Sequence, residues 1–239
     1  MGKFDVFRFK QFNVSHKVAA QKVSTDSVLL GSWIEARENI NNVLDIGAGC
    51  GVLSLMCAQR FPYARVHAVE IDGATAQECN DNFFASPWAE RLMVETADFA
   101  QWEPHGAYDL ILCNPPYFHG DVKSPGERRR QARHDDTLTV ETVVERGARL
   151  LSLEGSIGIV YPAADYEKIE AVAQKCRLAI ARRCKVFTVE DKPAQLVLVQ
   201  LSHSLGKPTV DEELYLRTSS GAYTPEYISL TQDFYLFLH

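Results

Sequence analysis

Short runs of apolar and β-branched residues alternate along the chain with longer stretches of helical periodicity. Strands are predicted near 43–47 (VLDIG), 65–71 (RVHAVEI), 92–97 (LMVETA), 108–113 (YDLILC), 155–161 (GSIGIVY), 181–189 (ARRCKVFTV) and 195–201 (QLVLVQL). Helices are predicted near 26–37, 51–60, 73–85, 138–151 and 164–175. At the end of the chain, Thr224 is a plausible N-cap and Pro225 suits a first helical position, with Tyr227, Leu230, Phe234 and Leu238 following at helical spacing. Strands separated by helices argue for a doubly wound α/β fold, a parallel sheet with helices on both faces. Neither internal repeats nor low-complexity tracts interrupt the pattern, but the stretch from Asn114 to about Leu138 is a long loop, which usually signals function or disorder.

Composition narrows the class. With 239 residues and 46% hydrophobic content the chain can bury a sizeable core, and one domain over 1–239 is the simplest division. No stretch has the length of a membrane span and the first residues, MGKFDVFRFK, lack the apolar core of a signal peptide, so a soluble cytoplasmic protein is expected. Six scattered cysteines with no C-x-x-C pair read as reduced core residues, and no metal site is expected. The net charge of −6 counts against a protein that grips nucleic acid over its whole surface. Charge is local instead. Lys123, Arg128, Arg129, Arg130 and Arg133 crowd the long loop, and Lys175, Arg177, Arg182, Arg183 and Lys185 form a second group.

Candidate chemistry begins at VLDIGAGCG, where an apolar run delivers Asp45 and then Gly47, Gly49 and Gly51 ahead of a helix. Glycines there permit positive φ and close approach of a ligand to the backbone. The G-x-G-x-G spacing differs from the G-x-G-x-x-G of dinucleotide folds, and Asp45 suits an ammonium group better than a pyrophosphate. Glu70 ends the second predicted strand, 21 positions beyond Gly49, where doubly wound folds set a carboxylate against ribose hydroxyls. Asp98 follows the third strand, placed to accept from an adenine amine. After the fourth strand comes Asn114-Pro115-Pro116-Tyr117. Two prolines remove two backbone donors and end the ladder. Asn114 offers an amide and Tyr117 a flat ring, a combination that can hold a planar nitrogen. An amine donating to the Asn114 side-chain oxygen and the Pro115 carbonyl would aim its lone pair at an electrophile, with Tyr117 stacked on the ring. In VSTDSVLL, Ser24 or Thr25 can cap a helix and Asp26 suits its positive end.

The glycine turn, the acids at successive strand ends and Asn-Pro-Pro-Tyr together resemble the class I S-adenosylmethionine-dependent methyltransferases that methylate amino groups. FRFKQFNV, KVSTDSVLLGSW, SPWAER and SLTQDFYLF extend the likeness over nearly the whole chain, toward the bacterial tRNA methyltransferase family that modifies adenine 37 of a valine tRNA. That resemblance implies a mostly parallel sheet with an antiparallel strand near the C-terminus, and S-adenosylmethionine as cofactor. The cofactor would be held by Thr25, Asp26, Asp45, Gly47, Gly49, Gly51, Glu70, Asp98 and Asn114, with residues 1–40 an N-terminal extension over its site. Asn114, Pro115 and Tyr117 would be catalytic, and the tRNA anticodon loop would meet Tyr117, Lys123, Arg128, Arg129, Arg130 and Arg133. Other planar nitrogens in rRNA, DNA or protein glutamine fit the same loop. A nicotinamide-dependent oxidoreductase or a non-catalytic nucleotide-binding module would explain the glycines and Glu70 but not Asn114 to Tyr117.

Overall fold

The computed structural model describes residues 5–19, 22–37, 39–104, 106–116, 138–203 and 206–236. A small antiparallel hairpin, β1 (Val6–Arg8) and β2 (Asn13–Ser15), precedes helix α1 (Thr25–Trp33). Then come β3 (Asn42–Ile46), α2 (Val52–Arg60), β4 (Arg65–Glu70), α3 (Gly73–Phe84), β5 (Leu92–Thr96) and β6 (Tyr108–Cys113). After residues outside the description follow α4 (Val140–Leu150), β7 (Leu151–Pro162), α5 (Tyr166–Lys175), β8 (Ala179–Val189), β9 (Leu196–Ser202), β10 (Val210–Arg217) and α6 (Pro225–Thr231).

Eight strands form one sheet in the order β10-β8-β9-β7-β6-β3-β4-β5. All run parallel except β9, which is antiparallel to both β7 and β8. The expected mostly parallel sheet with one reversed strand near the C-terminus is therefore present. Central strands are buried on both faces, as a sheet covered by helices requires. Successive residues of each strand serve opposite cores. Leu44, Ile46, Ile111 and Cys113 pack toward α4 and α5, against Val143, Val144 and Ile169. Val43, Leu110 and Leu112 pack toward α1 and α2, against Leu29, Leu30 and Leu53. Strand order reverses between β3 and β6, and the helices that follow these strands leave to opposite faces, which opens a crevice at their carboxyl ends.

Several boundaries differ from the sequence expectation. The hairpin and β10 carry too few apolar residues to stand out, and only Leu214 of β10 is buried. Helix α6 begins as expected, with Thr224 Oγ1 accepting from Tyr227 N at 3.2 Å, but ends at Thr231. Beyond it the chain turns to meet the N-terminal hairpin: Lys10 N donates to Phe234 O at 2.8 Å and Phe9 bridges Tyr235. Phe9 stacks on Phe12 at 4.5 Å between ring centroids, and Phe12 meets Trp88 edge-on at 5.8 Å. The two ends of the chain and the SPWAER segment thus share one aromatic cluster. The second basic group is largely neutralised: Lys175 pairs with Glu145 of α4 at 2.6 Å, and Arg182 and Arg183 pair with Glu212 and Asp211 of β10 at 3.1 and 2.7 Å.

Residues 15–19 are held by α3. The Glu78 carboxylate accepts from the backbone N–H groups of Lys17, Val18 and Ala19 at 2.7, 3.0 and 2.9 Å, and from Ser15 Oγ at 3.0 Å. One turn on, Asn82 accepts from Ser15 N and donates to Ser15 O, both at 2.8 Å, and donates to Cys50 O at 2.9 Å. Burial alone would push the Glu78 carboxyl up, but these hydrogen bonds to the charged form outweigh it and hold the carboxyl below its usual range. A depressed folded value means that Glu78 adds stability above about pH 4.5, and that this is lost as pH falls through the folded value. Glu78→Gln is expected to lower stability at neutral pH by roughly 1.5–3 kcal/mol, the range for a hydrogen bond to a charged group. Urea midpoints for the two proteins should converge as pH drops below that point, and parallel curves would contradict this account.

Candidate active site

Apart from Thr25 and Asp26, each predicted cofactor residue belongs to a strand end or the turn after it. Parallel pairing of Ile46 with Cys113 sets Gly47 and Asn114, the next residues of β3 and β6, side by side at the crevice. Gly47, Gly49 and Gly51 all have positive φ, at 68°, 54° and 82°. Their constraints differ. A Cβ on Gly51 would lie 2.6 Å from Phe83 and 2.7 Å from Cys79 Sγ, so this glycine lets α2 pack against α3. A Cβ on Gly49 would meet nothing within 4 Å, so this glycine faces open space. The turn itself is anchored: Gly47 N and Ala48 N donate to Val69 O at 2.9 and 3.2 Å, and Gly49 N donates to Glu70 Oε2 at 2.8 Å.

Asp45 is 1% exposed. Its Oδ2 accepts from Ser54 N at 3.0 Å and Ser54 Oγ at 2.7 Å, capping α2 from the neighbouring strand where Gly51 has no side chain to do so. Its Oδ1 is buried without a partner. Burial pushes the carboxyl up to about 6, against the two Ser54 hydrogen bonds and with a smaller contribution from the Glu70 charge. A buried carboxylate with one free oxygen beside an open glycine turn is suited to a cation.

Glu70, 9% exposed, joins the turn to the start of α3: its Oε1 accepts from Asp72 N at 3.0 Å while Oε2 holds Gly49. Asp98 organises the turn after β5, accepting from Ala100 N at 2.9 Å and Gln101 Nε2 at 3.1 Å. Adjacent parallel strands bring Asp45, Glu70 and Asp98 to one edge of the sheet. Asn114 is 8% exposed, and its Nδ2 donates to Ser27 Oγ at 3.0 Å while its Oδ1 is buried and unpartnered. Pro115 is buried beside it. Tyr117, Lys123, Arg128, Arg129, Arg130 and Arg133 lie outside the described residues. A cleft lined by Lys22, Ser27, Gly47, Gly49 and Asn114 unites the N-terminal segment with both strand ends. Thr25 and Asp26 occupy the first turn of α1, one exposed and one half-buried, but Ser27 is the residue of that turn lining the cleft. Ser24, rather than Thr25, is the N-cap, accepting from Ser27 N at 3.4 Å. Sequence reasoning missed Ser27, since a serine inside a helix start carries no signal of its own.

A methyltransferase small domain model matches residues 15–188. The tRNA1(Val) (adenine(37)-N6)-methyltransferase of Vibrio cholerae is 39% identical over 230 residues, covering 96% of this chain and 95% of that protein. The chain belongs to this methyltransferase family. The proteins of the same name from Tolumonas auensis and Bacteroides thetaiotaomicron are 40% and 36% identical, over 96% and 97% of the chain and 96% and 98% of their own lengths. Among solved structures, an Agrobacterium tumefaciens protein described as a predicted O-methyltransferase superposes with a TM-score of 0.69 at 18% identity, covering 87% of this chain and 96% of that one. A ribosomal protein L11 methylase from Lactobacillus delbrueckii gives 0.56 at 14% identity, covering 79% and 83%. At such identities the structural likeness speaks for the class I methyltransferase fold shared by these proteins.

The two glycines separate packing from access in this family member. Gly51→Ala is expected to destabilise the protein by roughly 1–3 kcal/mol through overpacking, about 2–12 °C in melting temperature for a chain of this size. Gly49→Ala pays only the positive-φ strain and should cost clearly less; equal losses in thermal melts would refute the distinction.

Proposed function

We propose that this protein transfers a methyl group from S-adenosylmethionine to the exocyclic N6 amine of adenine 37 in the anticodon loop of a valine tRNA. One observation carries the reading: the Asn114 amide oxygen, buried and unpartnered, beside the glycine turn at the switch point of the sheet. Full-length identity of 36–40% to tRNA1(Val) (adenine(37)-N6)-methyltransferases supports the substrate.

The unpaired buried Asp45 Oδ1 and the open face of Gly49 fit the amino-acid end and the backbone approach of such a cofactor. Bound there, S-adenosylmethionine would supply an electrophilic methyl group on a sulfonium. Asp45 would hold the ammonium, Glu70 the ribose hydroxyls through its remaining lone pairs, and Asp98 the adenine amine. Thr25, Asp26 and the N-terminal extension would close over them. An adenine amine is a weak nucleophile because its lone pair is delocalised into the ring. Asn114 Oδ1 and the Pro115 carbonyl would each accept one of its hydrogens, turning nitrogen density away from the ring plane, and Tyr117 would stack on the base at a gain of about 1–3 kcal/mol. Positioning supplies the rate, and the surplus proton leaves after transfer. The target base lies in an unpaired loop and is cheaply splayed out. Lys123, Arg128, Arg129, Arg130 and Arg133 would meet the tRNA phosphates.

Two outcomes follow. Cofactor affinity should be full above about pH 6 and fall as protons compete for Asp45 below it, while Asp45→Asn binds weakly with a flattened profile; calorimetric titration across pH 5–8 checks this. Labelled methyl transfer to bulk tRNA from cells lacking the gene should yield a methylated adenine amine with wild type, and Asn114→Ala should be slower by on the order of 10²-fold or more. Tight cofactor binding with no tRNA label would overturn the substrate and direct the search to rRNA, DNA or protein glutamine.

A further inference from the structure

Asn114 reaches the cleft with its two amide faces in different circumstances. Nδ2 donates to Ser27 Oγ at 3.0 Å, and Oδ1 is buried without a partner. The two faces of a primary amide are nearly isosteric, so a half-turn about the terminal torsion would exchange acceptor for donor at little steric cost. A neighbour must decide which face looks inward. Ser27 is that neighbour: it is 7% exposed, lies in the first turn of α1, and lines the same cleft. Its Oγ accepts from Nδ2, which leaves Oδ1 inward for an amine in the cleft, whose hydrogens need an acceptor.

We infer that Ser27 is a positioning residue for the methyl transfer, holding the Asn114 amide with its oxygen toward the substrate amine. This rests on the proposed reaction and adds a part of the chain that the Asn-Pro-Pro-Tyr motif does not contain. The hydroxyl is itself placed by the N-terminal segment. Ser24 Oγ donates to Ser27 Oγ at 3.4 Å, and Val23 N, just before the cap, donates to His16 Nδ1 at 3.1 Å. His16 adjoins Ser15 and Lys17, which Asn82 and Glu78 of α3 bind. A run of hydrogen bonds therefore leads from the α3 helix, through the N-terminal segment, to the side chain that meets the substrate. The N-terminal segment contributes to the reacting geometry as well as covering the site.

The test compares wild type with Ser27→Ala and Ser27→Thr in the full chain. Single-turnover methyl transfer is measured at saturating S-adenosylmethionine and tRNA, together with cofactor affinity, melting temperature and solvent exchange of the Asn114 side-chain NH2 in 15N spectra, assigned by its loss in Asn114→Ala. Ser27→Ala is expected to slow transfer roughly 10-fold or more, since it strands a buried donor in the reactive arrangement, with cofactor affinity within about 2-fold of wild type. Its Asn114 NH2 should exchange faster. Ser27→Thr, which keeps the acceptor, should restore both. Unchanged transfer in Ser27→Ala, or a loss that Ser27→Thr shares, overturns the inference. So does a loss that tracks melting temperature and cofactor affinity while NH2 exchange stays as in wild type. If wild type itself methylates no tRNA, the proposed reaction fails, and NH2 exchange in the free protein still decides whether Ser27 fixes the amide.

Discussion

Parallel pairing of β3 with β6 is the constraint from which the site follows. The two strands run side by side with Ile46 opposite Cys113, but the chain leaves them toward opposite faces, into α2 after β3 and toward α4 after β6. Strand order reverses at this pair, which opens a crevice above their ends. Strand register delivers the strand-end residues of the site to that place. Gly47 and Asn114 become neighbours although 67 positions separate them, and β4 and β5 bring Glu70 and Asp98 alongside by the same in-register pairing.

Within the crevice, the polar groups divide their work. Asp45 spends one carboxylate oxygen on the N-terminus of α2 and leaves the other bare; Asn114 spends its amide nitrogen on Ser27 and leaves its oxygen bare. In a protein interior an unpaired acceptor is costly, and the one on Asn114 lies in a residue that lines the cleft, where a donor-bearing ligand would relieve it. Glu70 and Asp98 are different, since they accept from backbone N–H groups and a glutamine amide that shape the turns around them. These bonds fix the turns that follow β4 and β5.

The N-terminal segment is tied to the sheet by polar contacts on one side and aromatic ones on the other. Glu78 and Asn82, one helical turn apart on α3, receive residues 15–19, while Phe9 and Phe12 meet Tyr235 and Trp88. Burying a carboxylate among four donors is favourable only because the segment offers its backbone there in place of water. This attachment leads into the turn that brings Ser24 and Ser27 to Asn114.

Much of this was legible from residue order, because it depends on local rules. Period-two and period-3.6 apolar patterns gave seven of the eight strands of the sheet and five of the helices nearly in place, and Thr224-Pro225 marked the start of α6. The glycines, the acids at strand ends and Asn114 marked the turns at the crevice, since positive φ and ladder termination restrict which residues can stand there. Tertiary structure decided the remainder. Helix α6 stops at Thr231 because Phe234 and Tyr235 are claimed by the N-terminal hairpin, a contact across more than 200 positions that no local propensity encodes. β10 is paired in parallel with β8, its acids facing Arg182 and Arg183, although VDEELYLR is too polar to announce a strand. Ser27 gained its place only when α1 was laid against the end of β6, for a hydroxyl becomes specific through the partner that folding brings within 3.0 Å of it.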